Sequence, residues 1–200
     1  MYTHSTENYR YFVTQAYLRF LKRGPDENGL TFWVDQMMNR GLTDEHLESG
    51  FAASPEYFAT NGGTDVGLVQ GMYHDLLLRA ADQQGLDFWV GQLEGGVSVA
   101  AVAFGFTASR ERESIRVTDD YMRYLGRGPD QNGLDFWLGQ FLHGVTNETL
   151  IGGFVGSVEY FYNPSKGKGN EAAWISAAYG DVLHRPAAPS DIAYWTGVLG

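Results

Sequence analysis

The sequence predicts an all-α protein made of tandem repeats of three short helices packed into a helical bundle or array. Three observations carry that expectation. A loop motif recurs as RGPDENGLTFW (23–33), RAADQQGLDFW (79–89), RGPDQNGLDFW (127–137) and, more weakly, RPAAPSDIAYW (185–195). Apolar residues flank each copy at helical spacing. Glycine, proline and hydroxyl residues punctuate the flanks at the same offsets each time.

Aligned on Arg23, Arg79, Arg127 and Arg185, the copies stand roughly fifty residues apart, a period typical of repeat architectures. The expected units are 1–62, 63–114, 115–165 and an incomplete fourth at 166–200. Units two and three have the shortest connection and are expected to be the tightest neighbours. Unit four reaches Gly200 soon after Trp195, ahead of any third helix. The chain is expected either to be a fragment or to borrow a partner that completes this unit, and self-association through unit four follows from the second.

The first helix of each unit follows from a stripe. Tyr17, Tyr73, Tyr121 and Tyr179 each have Val13, Val69, Val117 or Ile175 four residues earlier and Phe20, Leu76, Tyr124 or Val182 three later. That i, i+4, i+7 pattern buries one helical face. Gly24-Pro25 and Gly128-Pro129 then stop the helix near the arginine. Proline suits the first position of the next helix, and Asp26, Asp82 and Asp130 suit its positive N-terminus. Gly29, Gly85 and Gly133 fall in its first turns, where a missing Cβ permits close approach of another backbone.

On the second helix Leu30, Trp33 and Met37 share a face, as do Leu86, Trp89 and Leu93, and Leu134, Trp137 and Phe141. Phe32, Phe88, Phe136 and Tyr194 point roughly the opposite way. Such a helix is either sandwiched or exposes a row of rings. Packing is the expected role of these four, because aromatic residues at helical spacing usually belong to cores. A ledge for stacking sugar rings is the best specific ligand expectation.

Gly41, Gly96 and Gly144 end the second helix, and Thr43, Ser98 and Thr146 are placed to cap a third. It carries Leu47 and Phe51, Val102 and Phe106, or Leu150 and Phe154. The closing sequences SPEYF, SRERE and SVEYF then let Ser54, Ser109 and Ser157 cap a last turn that holds Glu56, Glu111 and Glu159.

Composition excludes several functions. The chain has 14 Lys and Arg against 24 Asp and Glu, a net charge of −10. With no basic block, nucleic acid and anionic membrane surfaces are not expected partners. Cysteine is absent, which removes disulfides and thiolate metal sites. No apolar run approaches the roughly 20 residues of a spanning helix, so no membrane insertion is expected.

The five histidines occupy unrelated repeat positions, and no H-E-x-x-H, G-x-S-x-G or Walker pattern occurs. The expectation is a protein that is not an enzyme and needs no cofactor. Calcium is the exception weighed, because Asp26-x-Asn28-Gly29 and Asp130-x-Asn132-Gly133 imitate the middle of an EF-hand loop. Gly24 falls where the first ligand belongs and Gly139 where unit three needs its twelfth, so a site would require distant carboxylates such as Asp44, Glu45 or Glu48. The recurring arginine has a structural expectation: it caps the carbonyls ending the first helix or pairs with an acid of its own unit.

The pattern of tyrosine, Arg-Gly-Pro-Asp-x-x-Gly-Leu-x-Phe-Trp, then glycine and Ser-x-Glu-Tyr-Phe resembles the bacterial family called domain of unknown function 4214. YLRFLKRGPDENGLTFWVDQM and YMRYLGRGPDQNGLDFWLGQF carry it best. The pattern is also similar to the phycobilisome linker domain, a helical scaffold. The resemblance implies an extracellular or cell-surface bacterial module without catalysis, a scaffold or protein–protein interaction domain whose partners are other protein domains. A module binding surface glycan or calcium, or an accessory to a polysaccharide-active enzyme, is the alternative. Unit two departs from the pattern with Ala80-Ala81, and unit four with Ala188 and Asp191. Nothing that depends on an aspartate like Asp26 is therefore common to all four.

Overall fold

A computed structural model describes residues 2–199, with the side chains of residues 3–198. A 3-10 turn at Tyr2–His4 precedes α1 (Thr6–Leu21), α2 (Glu27–Arg40), α3 (Asp44–Ala52) and α4 (Pro55–Thr60). Next come α5 (Asp65–Leu77), α6 (Gln83–Glu94), α7 (Val99–Thr107) and α8 (Arg110–Asp120). A π turn, Tyr121–Leu125, continues α8. The chain ends with α9 (Gln131–Leu142), α10 (Asn147–Val155), α11 (Val158–Tyr162), α12 (Glu171–Leu183) and α13 (Pro189–Leu199). No strand occurs among the described residues, so the fold is all-α.

The chain forms two compact bodies. Phe12–Ile115 makes one and holds units one and two; the residues up to Tyr11 and from Arg116 onward make the other and hold units three and four. Units two and three are thus not the closest pair, contrary to the expectation drawn from their short connection. The reason lies in the junctions. Units one and three close in the short helices α4 and α11, and a loop leads to α5 or α12. Unit two has no such loop, because its closing turn is the start of α8, which runs on as the first helix of unit three. The connection is short because two helices are fused.

The same fusion opens the chain. Ser5-Thr6-Glu7 repeats the closing Ser-x-Glu, and Ser5 accepts a hydrogen bond from the Asn8 amide at 3.2 Å. Ser54, Ser109 and Ser157 do so for Tyr57, Arg112 and Tyr160, at 3.1, 3.1 and 3.0 Å. Unit four therefore receives a closing turn from the start of α1. The turn at Tyr2–His4 packs on α10 and α12 in that body, while α3 packs on α7 in the other.

First-helix stripes are buried in all four units: Val13, Tyr17 and Phe20; Val69, Tyr73 and Leu76; Val117, Tyr121 and Tyr124; Ile175, Tyr179 and Val182. So are the third-helix pairs Leu47 and Phe51, Val102 and Phe106, and Leu150 and Phe154. The second helix contributes less. Leu30, Val34 and Met37 are buried in α2 and Leu138 in α9, but no residue of α6 is. The buried side chains thus come mainly from the first helices and, in units one to three, the third. The second leans on them through a half-buried tryptophan.

Two local expectations need correction. Thr43 and Thr146 have extended N-cap backbones but make no side-chain cap bond. Their hydroxyls meet His46 Nδ1 at 2.9 Å and Thr149 Oγ1 at 3.4 Å instead. The first helix also does not wait for Gly-Pro to end. It stops one residue before each arginine at a left-handed residue, Lys22, Leu78, Gly126 or His184, with φ of 53°, 55°, 74° and 55°. Three of these carry a Cβ that crowds the following carbonyl, which costs roughly 1–2 kcal/mol. Leu78 is 61% exposed, so its side chain contributes little packing in return. Leu78→Gly is expected to stabilise the protein by about 1 kcal/mol in denaturant melts.

Candidate functional site

The residues singled out in the motif assemble into one contact set, built again in each unit. Its base is the first-helix tyrosine. The arginine guanidinium lies over that ring, with Arg23 5.1 Å from the Tyr17 centroid, Arg79 4.8 Å from Tyr73, Arg127 5.1 Å from Tyr121 and Arg185 4.8 Å from Tyr179. In units one to three the closing-turn glutamate grips the guanidinium with both oxygens. Arg23 donates to Glu56 at 2.7 and 2.9 Å, Arg79 to Glu111 at 2.6 and 3.1 Å, and Arg127 to Glu159 at 2.6 and 2.8 Å. Arg185 instead donates to Asp191 at 3.1 Å and lies 3.7 Å from Glu7.

The next residues complete the joint. Asp26, Asp82 and Asp130 cap the second helix by accepting from the amides of Gly29, Gly85 and Gly133 at 2.9, 2.8 and 2.7 Å. Those glycines lie under the tyrosine hydroxyl: a Cβ would come within 2.1 Å of Oη in units one and two and 2.4 Å in unit three. The arginine donates to the carbonyl of the residue that follows it, Gly24, Ala80 or Gly128, at 3.1–3.2 Å.

Trp33, Trp89 and Trp137 carry the second half of the joint. Each meets the third-helix phenylalanine, Phe51, Phe106 or Phe154, with centroids 5.2, 4.9 and 5.6 Å apart. Each also lies against the preceding glycine, Gly50, Gly105 or Gly153, where a Cβ would stand 2.6, 2.7 or 3.1 Å from Cη2. Sequence reasoning missed these glycines, although a Gly-Phe pair recurs at one offset in all three third helices.

The outward aromatics differ from their expected packing role. Phe32, Phe88, Phe136 and Tyr194 are 55%, 55%, 56% and 64% exposed. Each touches its tryptophan neighbour edge to face at 5.0–5.3 Å and leaves the rest of its ring to solvent. The face of α2, α6, α9 and α13 that carries them has no partner within its own body deep enough to bury a ring.

A second set of polar contacts was not legible in advance. Tyr57 donates to Asp75 at 3.0 Å, and Tyr160 donates to Asp181 at 2.8 Å. Lys22 and Lys166 pair with the same carboxylates at 3.2 and 2.7 Å. Burial and the adjacent carboxylate push both phenols above the ordinary tyrosine range. Glu48 lies between Arg19 and Arg112, with Arg112 Nε 3.0 Å from Oε2. His184 stacks on Tyr11 at 3.6 Å, and burial, then the Arg123 charge, lowers its pKa to about 4. The signal that could have found the first set is an alternation two residues after the motif tyrosine: Arg19 and Arg123 in units one and three, Asp75 and Asp181 in two and four.

Asp26 and Asp130 each direct Oδ1 at a backbone amide, and the described residues contain no group of three His, Asp or Glu able to hold an ion. Among the described residues no helix is long and apolar enough to cross a membrane.

These contacts define a class: an all-α tandem-repeat module whose most regular charged and aromatic residues join its helices to one another. The chain belongs to the family described as a domain of unknown function (DUF4214), whose model matches residues 2–61, 49–115 and 117–164. No curated protein and no solved structure matches it.

The clamp has a pH signature. The hydrogen bonds from Arg23 and Arg127 hold Glu56 and Glu159 below the ordinary glutamate range, and the Gly29 amide does the same for Asp26. A depressed folded-state pKa stabilises fully above the unfolded value and is lost as pH falls through the folded one. The melting temperature of the E56Q/E159Q double variant is expected to lie below that of the wild type at pH 7. The gap should begin to narrow near the unfolded glutamate pKa of about 4.3 and close only as pH falls through the depressed folded-state values.

Proposed function

We propose that the protein is a non-catalytic helical repeat module that acts as a structural scaffold or protein–protein interaction domain within an exported or surface-located bacterial protein. The observation that carries this reading is the use made of the recurring residues. Arginine, aspartate and glutamate, which would have to serve any reaction repeated through the chain, are engaged in caps and bidentate pairs between helices. The family likeness and the repeat architecture support a spacing or anchoring role, since repeat arrays present extended surfaces.

Binding of surface glycans is the second reading, favoured by the exposure of Phe32, Phe88, Phe136 and Tyr194. Open rings beside polar groups can stack on sugar faces, and the flanking Asp87 and Asp135 are steadied by Gln83 and Gln131 at 2.7 and 2.9 Å. Light scattering across protein concentration, with calcium and with chelator, tests the first reading. The expected outcome is association that rises with concentration and is indifferent to calcium. Association only with calcium would replace the scaffold reading with a metal-dependent one. A strict monomer that binds a glycan array, with loss of binding in F88A/F136A, would replace it with the second.

A further inference from the structure

We propose that His184 is an acid-released latch: its neutral ring ties the end of α12 to the start of α1, and taking up a proton frees that start from the body of units three and four. The residues involved all belong to this one body. The His184 ring stacks on Tyr11, with centroids 3.6 Å apart and planes inclined by 19°. Arg123, in the π turn, lies over the same tyrosine at 5.0 Å. Its Nη2 donates both to the Asp181 carbonyl at 3.1 Å and to His184 Nδ1 at 3.2 Å.

The donor of that last bond fixes the state of the imidazole. A guanidinium has no acceptor, so Nδ1 offers its lone pair and the ring proton sits on Nε2. A second proton, on Nδ1, would set N–H against N–H and place two positive charges at the 3.2 Å contact. Nε2 is shut off from solvent and meets no hydrogen-bonding group among the described residues, so a charge on the ring gains no compensation there. A tyrosine face attracts a cation, but Arg123 already supplies one to Tyr11.

The surrounding groups do not offset the added charge. Asp181, on α12 itself, favours the imidazolium, yet it already accepts from Tyr160 of α11 at 2.8 Å and from Lys166 at 2.7 Å. Asp120 at the end of α8 acts on Tyr124, whose ring lies 5.5 Å from Arg123. Arg185, the next residue, faces Asp191 and Glu7. Burial first, then the Arg123 charge, lowers the imidazole from 6.5 to about 4. A lowered folded-state value means that the stability carried by the neutral ring is complete above about pH 6.5 and is lost as pH falls toward 4.

The other body builds the same corner without a histidine. Leu78 stands at the position of His184 and Ile115 at that of Tyr11, counted from the motif arginine and the closing serine. Arg19, the counterpart of Arg123, donates instead to Glu48 at 3.3 Å, and the residue of unit three equivalent to Glu48 is the buried Ile151. An aliphatic pair and a carboxylate thus replace the imidazole, the phenol and the carbonyl. Leu78 also shows that leucine is accepted at this left-handed position, since both residues have φ of 55°.

Two measurements on the full chain test the latch. NMR titration of the histidine side chains, with His184→Leu to assign the signal, is expected to place this ring well below the ordinary value of about 6.5. Hydrogen exchange read by mass spectrometry, corrected for its intrinsic pH dependence, follows the backbone of residues 7–12 between about pH 7.5 and about pH 5, where most carboxylates stay ionised. Protection there is expected to fall about thirtyfold, the effect at pH 5 of a group at 6.5 when free and about 4 when latched. Residues 102–106 of the other body, and residues 7–12 of His184→Leu, should change by less than about threefold. A His184 ring that titrates at its ordinary value, unchanged protection of residues 7–12 in the wild type, or an equal fall in His184→Leu would each overturn the latch. If His184→Leu does not fold, the wild-type comparison of residues 7–12 with 102–106 decides, and an equal fall in both overturns it.

Discussion

Units one to three depend on how the ring of one first-helix tyrosine is used. Its face carries the arginine, its edge meets the third-helix phenylalanine, and its hydroxyl presses on the glycine that begins the second helix. One side chain thus sets the distance to both other helices. A cation over an aromatic face contributes about 0.5–1 kcal/mol at exposed sites, and a bidentate carboxylate steadies the same guanidinium from the closing turn. The pair is half exposed, so its contribution lies more in fixing geometry than in bulk stability. Stability comes from the buried stripes beneath it.

Much of this was legible because the chain states its pattern several times. The stripes at Val13, Tyr17 and Phe20 and their equivalents, the third-helix pairs and the serine caps all follow from spacing and side-chain chemistry. The aspartates were expected inside the second helix behind a first-position proline and stand instead one residue before it, as its N-caps. The arginine's partner was legible only as an acid of its own unit. Choosing Glu56 over Asp26 needs the three-dimensional return of the closing turn, which no local rule supplies. Periodicity gave the outward direction of Phe32, Phe88, Phe136 and Tyr194 but not their exposure. Whether a second apolar side is covered depends on neighbours far along the chain.

The pairing of units was misread for a physical reason. A short connection usually means adjacent elements, but here it means that no connection exists. Ser109 caps a helix that continues through the next unit's stripe, and Ser5 does the same at the start of α1. The buried polar residues also follow this division. Tyr57 and Tyr160, at the loop-type junctions, reach aspartates on α5 and α12, whereas Arg112, at a fused junction, reaches back to Glu48.

Fusion gives the two kinds of junction different tolerance to change in length. The connectors after α4 and α11 already differ, NGGTD against NPSKGKGN, and a loop absorbs such a difference at small entropic cost. Inside α8 each added residue turns the remainder of the helix by about 100°. The Ser109 turn and the Val117, Tyr121 and Tyr124 stripe could not then both face their own cores. Length variation in this repeat is therefore confined to every second junction, and the fused helices act as the fixed phase marks of the chain.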